Sequence, residues 1–176
     1  MISKRTHASR KRVSKIWRTV EILGVTRETP YLESFKRAGL IVRGEAEYAV
    51  PVTPLVSSPK KIRLVRFRLQ DIGYTDLVEE ATILKDFKKE GLRRCPPELA
   101  LALFESLRAE DRLSIVISMD PVIAELQNKK RGLWECTFTI RYNQYTKVHS
   151  LGCWRSKGGG VLYRDYETIV FQHVEK

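Results

Sequence analysis

Two short stretches carry residue types that can do chemistry. Cys95-Pro96-Pro97-Glu98 sets a thiol and a carboxylate three residues apart. Proline is tolerated at a helix start, so the tetrapeptide reads as the first turn of a helix, where residues three apart share a face. A thiol at a helix N-terminus has a lowered pKa and can act as a nucleophile. Such a nucleophile needs a base, and none of the three histidines, His7, His149 and His173, stands in a recognisable catalytic context. Asp120 follows the apolar run Leu113–Met119 and precedes Pro121. The end of a central strand is a place where carboxylates do acid–base work, and Asp-Pro is equally a plain turn. Cys95, Glu98 and Asp120 are thus the weak catalytic candidates, for a small hydrolase or transferase. Each also has a plain structural reading: a packed thiol, an acid favoured by the helix dipole, and a turn former.

Other chemistries find less support. The three cysteines, Cys95, Cys136 and Cys153, form no C-x-x-C pair, so neither a disulfide framework nor a zinc site is expected, and the thiols read as free in a reducing cytoplasm. Lys157-Gly158-Gly159-Gly160 lacks the order of a phosphate-binding loop and reads as a hairpin loop. No metal and no cofactor are expected. No apolar run is long enough to span a membrane, and no apolar segment follows the charged N-terminus as in a secretory signal.

Charge is the strongest signal. The formal net charge is +11, and Lys4, Arg5, Arg10, Lys11, Arg12, Lys15 and Arg18 stand in a segment free of Asp and Glu. Residues 1–15 show no apolar periodicity and read as a flexible basic arm before a single domain over 16–176. A second basic cluster is Lys129-Lys130-Arg131. Clustered cations without acids hold phosphates electrostatically, and Trp17, Tyr142, Tyr145 and Trp154 are candidates to stack on bases. Arg63, Arg66 and Arg68 on a strand read as a solvated face that blocks an edge.

The elements that must position these residues follow from periodicity and punctuation. Ile16–Ile22 reads as a strand. Thr29-Pro30 starts a helix with Thr29 as its cap, and Gly39 stops it. Leu40–Val50 adds a strand turn. Pro51, Pro54, Ser57, Ser58 and Pro59 mark residues 51–60 as the best internal linker. Ile62–Leu69 is a half-buried strand, with Val65, Phe67 and Leu69 inward and Arg66 and Arg68 outward. Leu77–Glu90 is a helix ended by Gly91, and Cys95–Leu107 is a second helix with a stripe of Leu99, Leu103 and Leu107. Leu113–Met119 is a central strand and Glu125–Gly132 a polar turn. Leu133–Tyr145 pairs with Lys147–Trp154, and Thr168–Val174 is the last strand. The order predicts an α+β fold, with short helices packed on a mostly antiparallel sheet and a C-terminal β-meander.

Several of these segments, taken in order, resemble a family of uncharacterised small proteins of candidate-phyla bacteria. The matching stretches are Trp17-Arg18-Thr19-Val20, Asp71-Ile72-Gly73-Tyr74-Thr75, Glu90-Gly91-Leu92, Cys95-Pro96-Pro97-Glu98, Met119-Asp120-Pro121-Val122 and Ile169-Val170-Phe171. They answer to the family's W-R-T-V, L-G-[FY], E-L-G-L, C-P-A-E, M-E-P-[IV] and terminal apolar-aromatic motifs. Pro97 replaces the usual Ala, and Asp120 replaces Glu. The resemblance implies a shared architecture and a bacterial protein, and no activity.

The combined expectation is a small cytoplasmic binding module, more readily non-enzymatic, with a basic N-terminal arm and nucleic acid as its first partner. A protein–protein adaptor is the alternative, and the Cys95/Glu98/Asp120 enzyme ranks below it.

Overall fold

A computed structural model describes residues 15–107, 111–126, 132–156 and 161–175. The long strand of the first half is Lys60–Arg68 (β3), and its burial alternates on both faces. Ile62 and Leu64 enter one apolar core, while Val65 and Phe67 enter another on the opposite face. The inward side expected for Val65, Phe67 and Leu69 is correct, and the opposite side is apolar at one end as well. Arg18–Ile22 (β1) pairs with β3 antiparallel, with Val20 opposite Ile62. On its other side β3 pairs with Thr168–His173 (β11). The arginines of β3 therefore lie on an internal strand, not on an edge strand as expected.

Leu113–Met119 yields a shorter strand, Ile115–Ile117 (β6), which runs parallel to β11. The expected polar turn at Glu125–Gly132 is corrected: Val122–Leu126 is a strand (β7) and Gly132 opens the next, Gly132–Asn143 (β8). β6 and β7 pair with successive stretches of β8, and β8 pairs with Val148–Ser156 (β9). β7, β8 and β9 form the meander, while β11 leaves it and returns to the middle of the sheet. Ile41–Val42 (β2) adds a parallel edge on β9. The strand order is β1-β3-β11-β6-β8-β9-β2, and the pairings are mostly antiparallel. This is an α+β architecture.

Helices cover both faces. Tyr31–Arg37 (α1), Ala46–Ala49 (α2) and Glu98–Ser106 (α4) pack on the face of Ile62 and Leu64. α4 is buried from Glu98 to Phe104, so its expected stripe is a helix covered on nearly every side. Phe104 meets Phe35 edge-on, with ring centroids 5.1 Å apart. The opposite face carries Glu80–Asp86 (α3) with Ile83 and Phe87, and a two-stranded ribbon of Val78–Glu79 (β4) with Leu162–Tyr163 (β10). Leu77–Glu90 is therefore not one helix. Glu80 starts it, the ribbon occupies 78–79, and a short 3₁₀ turn over Lys88–Glu90 ends it.

Two boundary details differ from expectation. Thr29 does not cap α1; Pro30 is the capping residue, with no side-chain hydrogen bond. Cys95 does not open α4 either. It lies before the helix, bridged in parallel to Met119, while Leu92–Arg93 (β5) pairs with β11. The glycine stops hold: Gly39 and Gly91 have φ of +67° and +79°.

Candidate functional site

Glu98, in the first turn of α4, is completely buried. Its Oε1 accepts hydrogen bonds from the Gly24 N–H at 2.9 Å and the Tyr31 hydroxyl at 3.1 Å. Its Oε2 accepts from the Val56 N–H at 2.8 Å. The loop after β1 is further tied to the 53–59 loop by Val25 N–H donating to the Val56 carbonyl at 2.9 Å. Gly24 has φ +61°, and a side chain there would strike the Val56 carbonyl oxygen. Glu98 thus joins α4 to two loops and α1. All three donors come from the protein, so the carboxyl is occupied by structure. Burial, followed by the charge of Glu98, raises the Tyr31 hydroxyl well above its ordinary value.

Cys95 is 1% exposed. Its N–H donates to the Ser118 carbonyl at 2.7 Å, as part of the extended run rather than a helix turn. Burial pushes its thiol far above the ordinary value, opposite to the shift a helix N-terminus would give. Asp120 is largely exposed and pairs with Arg94 at 3.1 Å.

Arg94 leads to a polar centre that the sequence did not single out. Glu80 is 2% exposed, and its Oε2 receives Arg94 Nε and Nη2 at 2.7 and 2.6 Å. Its Oε1 accepts from the Ser118 hydroxyl at 2.7 Å and the Tyr163 hydroxyl at 2.8 Å. Burial and the adjacent Glu80 charge raise the Tyr163 hydroxyl. The four residues join α3, the 93–95 segment, the end of β6 and β10. In sequence Glu80 is only an acid in a helix's first turn, and no local signal ties it to Tyr163, which is 83 residues away. Asp120 therefore meets Glu80 through Arg94, whereas Glu98 belongs to the separate centre at Gly24, Tyr31 and Val56.

Of the cations expected to bind nucleic acid, Lys4, Arg5, Arg10, Lys11, Arg12, Lys129, Lys130 and Arg131 lie outside the described residues. Lys15 is exposed. Arg18 is engaged inside the fold: it pairs with Asp111 at 2.6 Å and lies 5.3 Å from the centre of the Trp17 ring. Arg66 covers the same ring at 4.7 Å. Burial first, then neighbouring Arg18, lowers the Arg66 guanidinium, while Asp111 opposes this. Trp17 is thus half-buried under two guanidinium groups and packed on the core. Every Asp and Glu except Glu110 falls among the described residues, so the excess of positive charge is concentrated outside them.

The face opposite α1 and α4 is only partly covered by α3 and the β4–β10 ribbon. An open cleft of about 770 Å³ lies over the rest, between β6, β8 and β9 and the 162–168 segment. Among the described residues, no group of three His, Cys, Asp or Glu is arranged to hold a metal ion, and no helix is long and apolar enough to cross a membrane. No family model, curated protein or solved structure matches the chain.

Proposed function

We propose that this protein is a small non-enzymatic binding module that holds nucleic acid through its basic N-terminal segment. The observation that carries the reading is the distribution of charge. Lys4, Arg5, Arg10, Lys11, Arg12 and Lys15 stand together without an acid, beside a folded unit that holds nearly all the carboxylates. A cation cluster of this kind exchanges condensed counterions for its own charges on a phosphate backbone, which makes binding tight at low salt and weak at high salt. Lys129, Lys130 and Arg131 are a second contact of the same kind.

The binding reading is preferred over the enzymatic one because two of the three candidate groups are already spent. Glu98 satisfies three donors, and the Cys95 thiol is buried and raised. The test is fluorescence anisotropy with labelled single-stranded RNA, single-stranded DNA and duplex DNA across a salt series. The full chain is compared with one in which Lys4, Arg5, Arg10, Lys11, Arg12 and Lys15 are replaced by Gln. Binding that falls steeply with salt and collapses in the replaced chain supports the reading. Absence of binding at low salt sinks it and moves the protein–protein adaptor to first place.

A further inference from the structure

The open cleft has a lining that the basic segment does not explain. Its floor is the sheet surface of Val116, Thr139 and Trp154. Gly152 lies opposite Thr139 in the β8–β9 ladder, and a side chain there would press on the Thr139 hydroxyl, so the floor is low at this point. The Trp154 ring rests against Tyr163, with centroids 6.4 Å apart, which fixes its plane from one side. On the rim, Tyr166 is 57% exposed and its hydroxyl accepts from Arg164 at 2.6 Å. Arg141 is exposed and makes no ion pair among the described residues. Glu167 stands near it, with Oε2 accepting the Arg164 N–H at 2.7 Å.

We propose that this cleft binds one unpaired nucleotide of a single strand, its base against Trp154 and Tyr166 and its phosphate on Arg141 and Arg164. The inference rests on the nucleic-acid reading above and assigns the part that reads bases. The chemistry matches group by group. Two aromatic side chains provide stacking surfaces, which recognise bases splayed out of a helix. Arginine provides a planar fork for phosphate oxygens. The Glu167 carboxyl and the Thr139 hydroxyl line the same cleft, and a carboxylate beside a base edge would accept from an exocyclic amine, favouring a base that carries one over uracil. The volume falls in the range of ligand pockets, about 300–1,000 Å³. The mixed polar lining does not suit a purely apolar ligand. A base stacked within a duplex cannot reach the floor, so the cleft selects single strands.

Burial raises the Glu167 carboxyl, against the opposing pull of the Arg164 N–H and the Arg164 and Arg141 charges. A carboxyl raised by burial at the edge of an open cleft, even with the Arg164 N–H on one of its oxygens, is in keeping with a ligand site.

The test is two-dimensional NMR of the full chain titrated with cytidine, guanosine and uridine 5′-monophosphates, and separately with inorganic phosphate. The Tyr166→Ser and Arg141→Gln variants are run beside it, since both side chains are exposed and neither replacement threatens the fold. Shifts are expected in Thr139 and the Trp154 indole, stronger for the cytidine and guanosine nucleotides than for uridine. Each replacement is expected to weaken binding about tenfold, the size of one stacking or charged contact. Identical shifts from inorganic phosphate alone would reduce the cleft to an anion site and overturn the proposal. So would nucleotides that leave Thr139 and Trp154 unmoved. If oligonucleotides still bind the full chain in a salt-dependent way in that case, only the cleft assignment falls. If no nucleic acid binds at low salt, both readings fall.

Discussion

Replacing Glu98 tests whether this carboxyl is the structural junction its contacts describe. In Glu98→Ala, the Gly24 N–H, the Val56 N–H and the Tyr31 hydroxyl all lose their acceptor. An unpaired buried donor costs about 1–3 kcal/mol, and water reaches the partly buried Val56 N–H, which lowers its share. The sum is about 3–6 kcal/mol, a large part of the 5–15 kcal/mol that is typical of a domain. Glu98→Gln keeps one oxygen but turns an amide N–H₂ towards either Val56 or the Gly24–Tyr31 pair. One contact becomes donor against donor, so the loss is about 1–3 kcal/mol. Urea denaturation followed by circular dichroism should rank the midpoints wild type, then Gln, then Ala, with an unchanged slope. Tyr31→Phe should cost about 1 kcal/mol and couple to Glu98→Gln in a double-mutant cycle. If Glu98→Ala lies within about 1 kcal/mol of wild type, or Gln is as damaging as Ala, the donors find other partners and the junction argument fails.

Three further outcomes follow from the same geometry. Gly91→Ala should destabilise by several degrees more than Gly39→Ala in thermal melts: both have positive φ, but a side chain at 91 would lie 2.2 Å from the Val174 carbonyl oxygen, while nothing lies within 4 Å at 39. Burial raises the Glu105 carboxyl, but its hydrogen bonds from Arg27 and Ser34 and the Arg27 charge outweigh this and hold it below its ordinary value. Its stabilising contribution is therefore complete at neutral pH and is lost as pH falls through the depressed folded value. The stability gap between wild type and Glu105→Gln, measured in urea, should be flat above about pH 5 and close below about pH 4. Iodoacetamide at neutral pH should leave Cys95 unmodified in the folded chain and modify it in urea; rapid modification of the folded chain would revive the nucleophile.

Local signals carried much of the fold. Gly39 and Gly91 mark left-handed stops, and the parity of Val65 and Phe67, or of Cys136, Phe138 and Ile140, tells which side each strand buries. β7 is short, follows directly on Pro121 and places apolar Ile123 on its outer side, so Val122–Leu126 shows no clean alternation and its end merges with the polar stretch that follows. The central place of β11 depends on partners roughly 50–110 residues away, which no local pattern encodes. The site candidates divide in the same way. Cys95, Glu98 and Asp120 stand out by type and spacing, but their roles depend on what the chain brings to them. Gly24 and Val56 reach Glu98, Ser118 reaches Cys95, and Arg94 links Asp120 to Glu80. Glu80, Ser118 and Tyr163 come together only through tertiary pairing.

The most direct test of nucleic-acid binding is the salt dependence of anisotropy for the full chain on a labelled single-stranded RNA. The account predicts a linear fall of log affinity with log salt, with a slope set by several released counterions, and a shallower slope once the Lys4–Lys15 cations become Gln. A slope that does not change on that replacement, or no binding at the lowest salt, would contradict it.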